Sequence, residues 1–185
     1  MSTRLDLNLL AQNIKQWGLD AGFQQVGICD TDLSLEEPKL QAWLDKQYHV
    51  DMEWMNRHGM MRARPHELHP GTLRVISVRM NYLPAKAAFA STLNNPELGY
   101  ISRYALGRDY HKLLKKRLKI LGDRILDYCR QFECSDDLNF RPFVDSAPIL
   151  ERPLAVKAGF RLPRPSLVKS VRWKTRWKTS ISAAR

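Results

Sequence analysis

Cysteine is scarce in this sequence and poorly spaced for the roles cysteines take in clusters. Cys29, Cys129 and Cys134 give neither the even count of a secreted disulfide scaffold nor any C-x-x-C pair for zinc or an iron–sulfur cluster. Long apolar runs are also missing. No stretch approaches the roughly 18 residues of a membrane span, and Met1-Ser2-Thr3-Arg4-Leu5-Asp6 has no apolar core of an export signal. Acidic residues vanish beyond Phe160, where eight Lys or Arg stand unopposed. These absences argue for a reduced, cytoplasmic chain with no membrane partner and no metal site of its own. No internal repeat or low-complexity tract precedes Phe160.

What is present suits one globular domain. The chain has 185 residues, 44% of them apolar and 26% charged, which is enough for a real core and too apolar for wholesale disorder. The formal charge of +11 resembles a nucleic-acid signal, but its distribution matters more than its total. Residues 1–160 hold 22 basic and 19 acidic groups, so the body is nearly balanced and the tail carries the excess.

Periodicity predicts a helix from Asp6 with Leu9, Leu10, Ile14 and Trp17 on its buried face, ended by Gly18 or Gly22. A short strand follows over Phe23 to Ile28, then a three-turn helix burying Leu40, Trp43 and Leu44. Leu73 to Tyr82 has the β-branched content of a central strand, and residues 84–99 read as a long surface loop. Beyond Asp109 a strong helix places Leu113, Leu114, Leu118, Leu121, Ile125 and Tyr128 on one face. Lys112, Lys115, Lys116 and Lys119 occupy the other. That basic face is either solvated or a phosphate contact.

The Met- and Trp-rich segment 48–61 has no clean period and reads as packing or pocket lining. His49 and His58 lie nine apart without a third ligand at useful spacing, so they define no metal site. Residues 141–155 are the densest in chemistry, with one aspartate and two arginines between three prolines. Phe143 and Val144 end a strand, and Ile149 onward opens a helix. Asp145 between them is either a proton donor or ligand contact on a rigid support, or a cap for the following turn.

Two motifs give these residues a context. Tyr104-Ala105-Leu106-Gly107-Arg108-Asp109-Tyr110-His111, together with Val144-Asp145-Ser146-Ala147-Pro148-Ile149-Leu150-Glu151-Arg152 and Lys157-Ala158-Gly159, resembles the epoxyqueuosine reductase family over residues 1–160. The resemblance implies an α/β (α+β) domain, a mixed sheet flanked by helices, that holds cobalamin in its base-off form. It implies Asp145 as the acid facing the cofactor, Arg62 and Ser102 as cobalamin contacts, and Arg152 on the substrate side. The family passes electrons from two [4Fe-4S] clusters to cobalt, reduces epoxyqueuosine to queuosine at the wobble position of tRNA, and is expected to act as a monomer.

The chain departs from that pattern after Gly159. The expected Gly-Trp-x-Gly-Lys run and the cluster cysteines do not follow, and residues 161–185 read as a basic tail in another reading frame. The ferredoxin-like and helical-repeat domains of the family are then absent, and no cluster ligands remain. The alternatives are a non-catalytic RNA-binding module, using the lysine face and the tail, and a corrinoid-binding protein without electron transfer.

Overall fold

The computed structural model describes residues 4–82, 89–102, 105–132, 138–161 and 168–174. Its elements run α1 (Leu7–Asp20), β1 (Gln25–Cys29), α2 (Glu37–Asp45), α3 (Glu53–His58), a 3-10 turn (Gly59–Ala63), α4 (Pro65–Leu68) and β2 (Thr72–Arg79). Then come α5 (Phe89–Leu93), α6 (Tyr110–Arg130), β3 (Asn139–Pro142), α7 (Glu151–Lys157) and β4 (Val168–Lys174). The four strands form one sheet in the order β1-β2-β4-β3. The α/β class matches the sequence reading, but the three described pairings are all antiparallel where a mixed sheet was expected.

An antiparallel sheet often leaves one face to water; this one is covered on both. Strand alternation explains how. On β2, Ile76 and Val78 join Val26 of β1 and the buried stripe of α6, Leu114, Leu118, Leu121 and Ile125, in one core. Val75, one residue out of phase, joins Cys29, Leu40, Leu44, Ile149 and Leu154 in a second core on the opposite face. The 21-residue α6 and the 14-residue α1 cover the first face, and short elements cover the second.

Asp6 caps α1, its carboxylate accepting from the N–H groups of Asn8 and Leu9 at 2.8 and 3.1 Å. The face buried by α1 is the expected one except at its first position: Leu10 and Trp17 pack against the core beside Ile14. Ile14 and Gly18 are buried, whereas Leu9 stays 46% exposed, and Gly18 lies against Val26 where a Cβ would collide. Leu113 of α6 is likewise exposed, at the margin of the stripe. Close approach recurs at Gly122, against the Phe140 ring, and at Gly27, against the Ala158 carbonyl. The last of these seats the end of α7 on β1.

Ion pairs fasten the short elements of the second face. Arg64 meets the Glu37 carboxylate through two nitrogens, each at 2.9 Å, joining α4 to α2. Lys157 reaches Asp30 Oδ1 at 2.5 Å and the Asp32 carbonyl at 2.6 Å, joining α7 to the loop after β1. Residues 84–99, read as a loop, contain the short helix α5; positions 83–88 lie outside the described residues. The tail contributes β4, whose backbone pairs with β2 and β3. Among the described residues no helix is long and apolar enough to cross a membrane.

Candidate active site

Asp145 sits on an eight-residue bridge between β3 and α7, and both ends of the bridge are anchored. Phe143 and Val144 are buried before it. After it, Ile149 is buried and the Leu150 N–H donates to the Arg62 carbonyl at 3.0 Å. Between these anchors Asp145 adopts φ 53°, in the left-handed region that costs a non-glycine residue on the order of 1 kcal/mol. Aspartate tolerates this region better than most residues, and the conformation turns its carboxylate outward, with the side chain 37% exposed. Strain of this kind, kept by firm anchors at each end, is characteristic of functional positions.

The first turn of α6 receives that carboxylate. The Tyr110 hydroxyl donates to Asp145 Oδ2 at 2.5 Å, and His111 Nε2 lies 3.7 Å from the same oxygen. His111 is held from its other side, with Nδ1 2.9 Å from Asp109 Oδ1. Asp109 also caps α6 by accepting from the His111 backbone N–H at 2.9 Å. These two bonds to His111 hold the Asp109 carboxyl below the usual carboxylate range. The imidazole stacks on the Tyr110 ring with centroids 4.0 Å apart. One short sequence, Asp-Tyr-His, thus starts the helix, orients the imidazole and delivers a phenol to the acid.

Arg62, which the resemblance implies as a cofactor contact, is buried. Its Nη2 donates to the Trp54 carbonyl at 2.8 Å and its Nε to the Met55 carbonyl at 3.3 Å. Burial lowers its pKa from the ordinary arginine value. Among the described residues no carboxylate pairs with it, so a buried cation is held by carbonyls alone beside the Asp145 bridge. Ser102 and Arg152 are both exposed, Ser102 outside any helix or strand, with its carbonyl accepting from the Ala105 N–H at 2.9 Å, and Arg152 in the first turn of α7. Neither makes a hydrogen bond or ion pair with Asp145 among the described residues. The structure ties the Arg62 backbone to the far end of the Asp145 bridge, at Leu150, and leaves Ser102 and Arg152 as exposed positions.

The partners of Asp145 were not singled out from sequence, although the motif containing them was. The available signal was Asp109 as a helix cap: it makes Tyr110 and His111 first-turn residues, placed at a helix end.

The profile of "Epoxyqueuosine reductase QueG, DUF1730" matches residues 62–146, a span running from Arg62 to the residue after Asp145. The curated epoxyqueuosine reductase of Escherichia coli is 77% identical over 159 residues, covering 86% of this chain and 40% of that protein. The chain carries a segment of the epoxyqueuosine reductase family. The Yersinia pestis epoxyqueuosine reductase is 68% identical over 185 aligned residues, again covering 86% of this chain, and 45% of its own length. The chain thus spans less than half of the curated epoxyqueuosine reductases it matches. Among solved structures, an epoxyqueuosine reductase with a tRNA-Tyr epoxyqueuosine-modified tRNA stem loop superimposes with a TM-score of 0.65 at 15% identity. That match covers 97% of this chain and 49% of the other, and it establishes the shared fold.

Two cofactor chemistries can be tested against the residues present. A [4Fe-4S] cluster needs four thiolates, and this sequence has three cysteines. Cys29 and Cys129 lie in separate cores, so the cluster does not fit. A corrinoid is a better match. The buried Arg62 cation and the outward Asp145 carboxylate suit a polar-edged macrocycle.

Proposed function

We propose that this chain is the cobalamin-binding, acid-bearing portion of an epoxyqueuosine reductase, acting on the modified wobble nucleoside of a tRNA in the cytoplasm. The observation that supports this reading is the outward Asp145 carboxylate, strained at φ 53° and hydrogen-bonded by Tyr110 at 2.5 Å, inside the segment that carries the family's sequence. When bound, cobalamin supplies the electron pair that opens the epoxide to an alkene. The oxygen leaves as water once it has taken two protons.

The residues of this chain handle the protons and the positioning. Asp145, protonated, gives its proton to the departing oxygen, and the Tyr110 hydroxyl stabilises the carboxylate that remains. The Tyr110 O–H and His111 Nε2 both face Asp145 Oδ2, at 2.5 and 3.7 Å, so either can return a proton to that oxygen for the next transfer. Arg62 and Ser102 hold the cobalamin edge, and Arg152 faces the nucleoside. Electrons reach the site from clusters carried elsewhere in the family.

Absorbance titration of the chain with cobalamin tests the reading. Base-off binding that weakens in Arg62→Ala and Ser102→Ala supports it, and absence of any spectral change rejects it. In the chain restored past Gly159, Asp145→Asn is expected to lose epoxide reduction while still binding cobalamin; retained reduction would reject Asp145 as the acid. The same reading divides the chain into a cobalamin domain at 1–160 and a tail at 161–185 in a shifted frame. A nucleotide sequence around codon 160 that does not restore Gly-Trp-x-Gly-Lys on a one-base shift would overturn that division.

A further inference from the structure

We infer that the exposed lysine stripe of α6 is a docking surface for an RNA sugar-phosphate strand, continuous with the Asp145 site; the inference rests on the tRNA-directed reading above. Lys112, Lys115, Lys116 and Lys119 recur at helical spacing and form one stripe about 10 Å long, opposite the face buried in the core. All four are exposed. Lys119 is neutralised by Asp123, 2.6 Å away, whereas Lys112, Lys115 and Lys116 make no ion pair among the described residues.

The order of charge along α6 argues against a merely stabilising role. A helix favours acids near its N-terminus and bases near its C-terminus, because its backbone dipole is positive at the start. In α6 the four lysines fill the first half, behind the Asp109 cap, and Asp123 and Asp127 come in the second half. Three unpaired lysines thus add to the positive end of the dipole. Asp109 and Asp145 offset the charge at the helix start itself, so the positive potential lies along the exposed stripe from Lys112 to Lys116, and a polyanion is the partner such a stripe attracts.

Position supplies the functional link. The turn that precedes Lys112 holds Tyr110 and His111 against Asp145, so a strand lying along the stripe runs toward the acid. Phosphate contacts position a nucleic acid without reading its sequence, which suits delivery of one modified nucleoside to a fixed site.

The test is a fluorescence titration of the whole chain with an anticodon stem-loop RNA between about 50 and 200 mM salt, alongside a cobalamin titration of the same samples. The triple variant Lys112→Ala, Lys115→Ala, Lys116→Ala is expected to bind RNA at least about tenfold more weakly. Its salt slope should be shallower by about one for each lysine removed. Lys119→Ala is expected to change little. A control triple at exposed lysines on other helices, Lys15→Ala, Lys39→Ala and Lys46→Ala, is expected to keep the parent slope. Unchanged RNA binding in the stripe variant, an equal loss in the control triple, or no binding by the parent chain overturns the docking surface. Lost cobalamin binding with intact, stripe-dependent RNA binding would reject the cobalamin reading and leave the surface standing.

Discussion

The two faces of the sheet differ in how much of their hold is apolar, although the first also carries a charged pair, Arg124 to Asp20 at 3.6 Å between α6 and α1. On the first, α1 and α6 lie against β1 and β2 through a continuous apolar core, tightened where Gly18 and Gly122 let backbone and ring approach. On the second, a smaller core is covered by α2, α7 and short turns, and charged pairs at Arg64–Glu37 and Lys157–Asp30 do part of the fastening. Burial in that smaller core still pushes the Cys29 thiol up to about 11. The Asp145 bridge joins the two: Val144 belongs to the first core, Ile149 to the second, and the acid projects between them. Apolar packing varies little with pH and salt, while exposed ion pairs are sensitive to both. The site is therefore held between a larger apolar core on one side and a smaller core with more charged fastening on the other.

The largest effects expected are core truncations, one on each face. Leu118 and Leu154 are both fully buried, so Leu118→Ala and Leu154→Ala should each cost about 2–5 kcal/mol in urea unfolding. A much smaller loss for Leu154→Ala would show that the second face can collapse around a cavity, and it would strengthen the contrast. Equal losses would confine the difference to the ion pairs.

Overpacking at the glycines should come next. A methyl at Gly122 meets the edge of the Phe140 ring, which can tilt, whereas a methyl at Gly27 meets the backbone carbonyl of Ala158, which cannot move without α7. Gly122→Ala should cost about 1–3 kcal/mol, and Gly27→Ala should lie at or above the top of that range. If Gly122→Ala proves the worse, the first face is the less forgiving one at close contacts.

Tyr110→Phe probes the join. Loss of one partly exposed hydrogen bond should change stability by about 0.5–1.5 kcal/mol in the same unfolding assay. In a family member carrying the same site, it should lower epoxide reduction more than its effect on stability would explain. Activity that follows stability alone would make Tyr110 a structural tie between the faces and nothing more.

How much of this was legible in the sequence follows from the same division of forces. Elements defined by periodic apolar residues, α6 and β2 above all, were readable because burial writes a period into sequence. The face of α1 was readable too, apart from the exposed Leu9; the close approach of Gly18 to Val26 was not, since it is a contact between elements that no local pattern encodes. The burial of Arg62 was not readable, because sequence cannot tell that two carbonyls, from Trp54 and Met55, will receive its guanidinium. Asp145 was visible as a carboxylate among prolines, but its φ and its bond to a tyrosine 35 residues earlier are tertiary facts. The strand Val168–Lys174 was hidden by composition. It carries Lys169, Arg172 and Lys174 where an interior strand is usually apolar, and the structure assigns it by backbone pairing.

The smallest effect expected is also the most specific to the second face. Lys157 joins α7 to the β1 loop through a half-exposed pair, so Lys157→Met should cost no more than about 1 kcal/mol. Its pH dependence distinguishes it from packing loss. The hydrogen bond from Lys157 holds Asp30 below the ordinary carboxylate value of 3.8, so that contribution is present above 3.8 and fades as pH falls through the lowered value. The same bond raises Lys157 above the ordinary 10.5, so its contribution is complete below 10.5 and is lost as pH rises through the raised value. The stability difference between parent and Lys157→Met should therefore be flat from about pH 5 to 9, shrink at either extreme, and fall with added salt. A difference that ignores pH and salt would mean that the lysine stem, packed along α7, provides the hold, and the two faces would then be fastened by the same force.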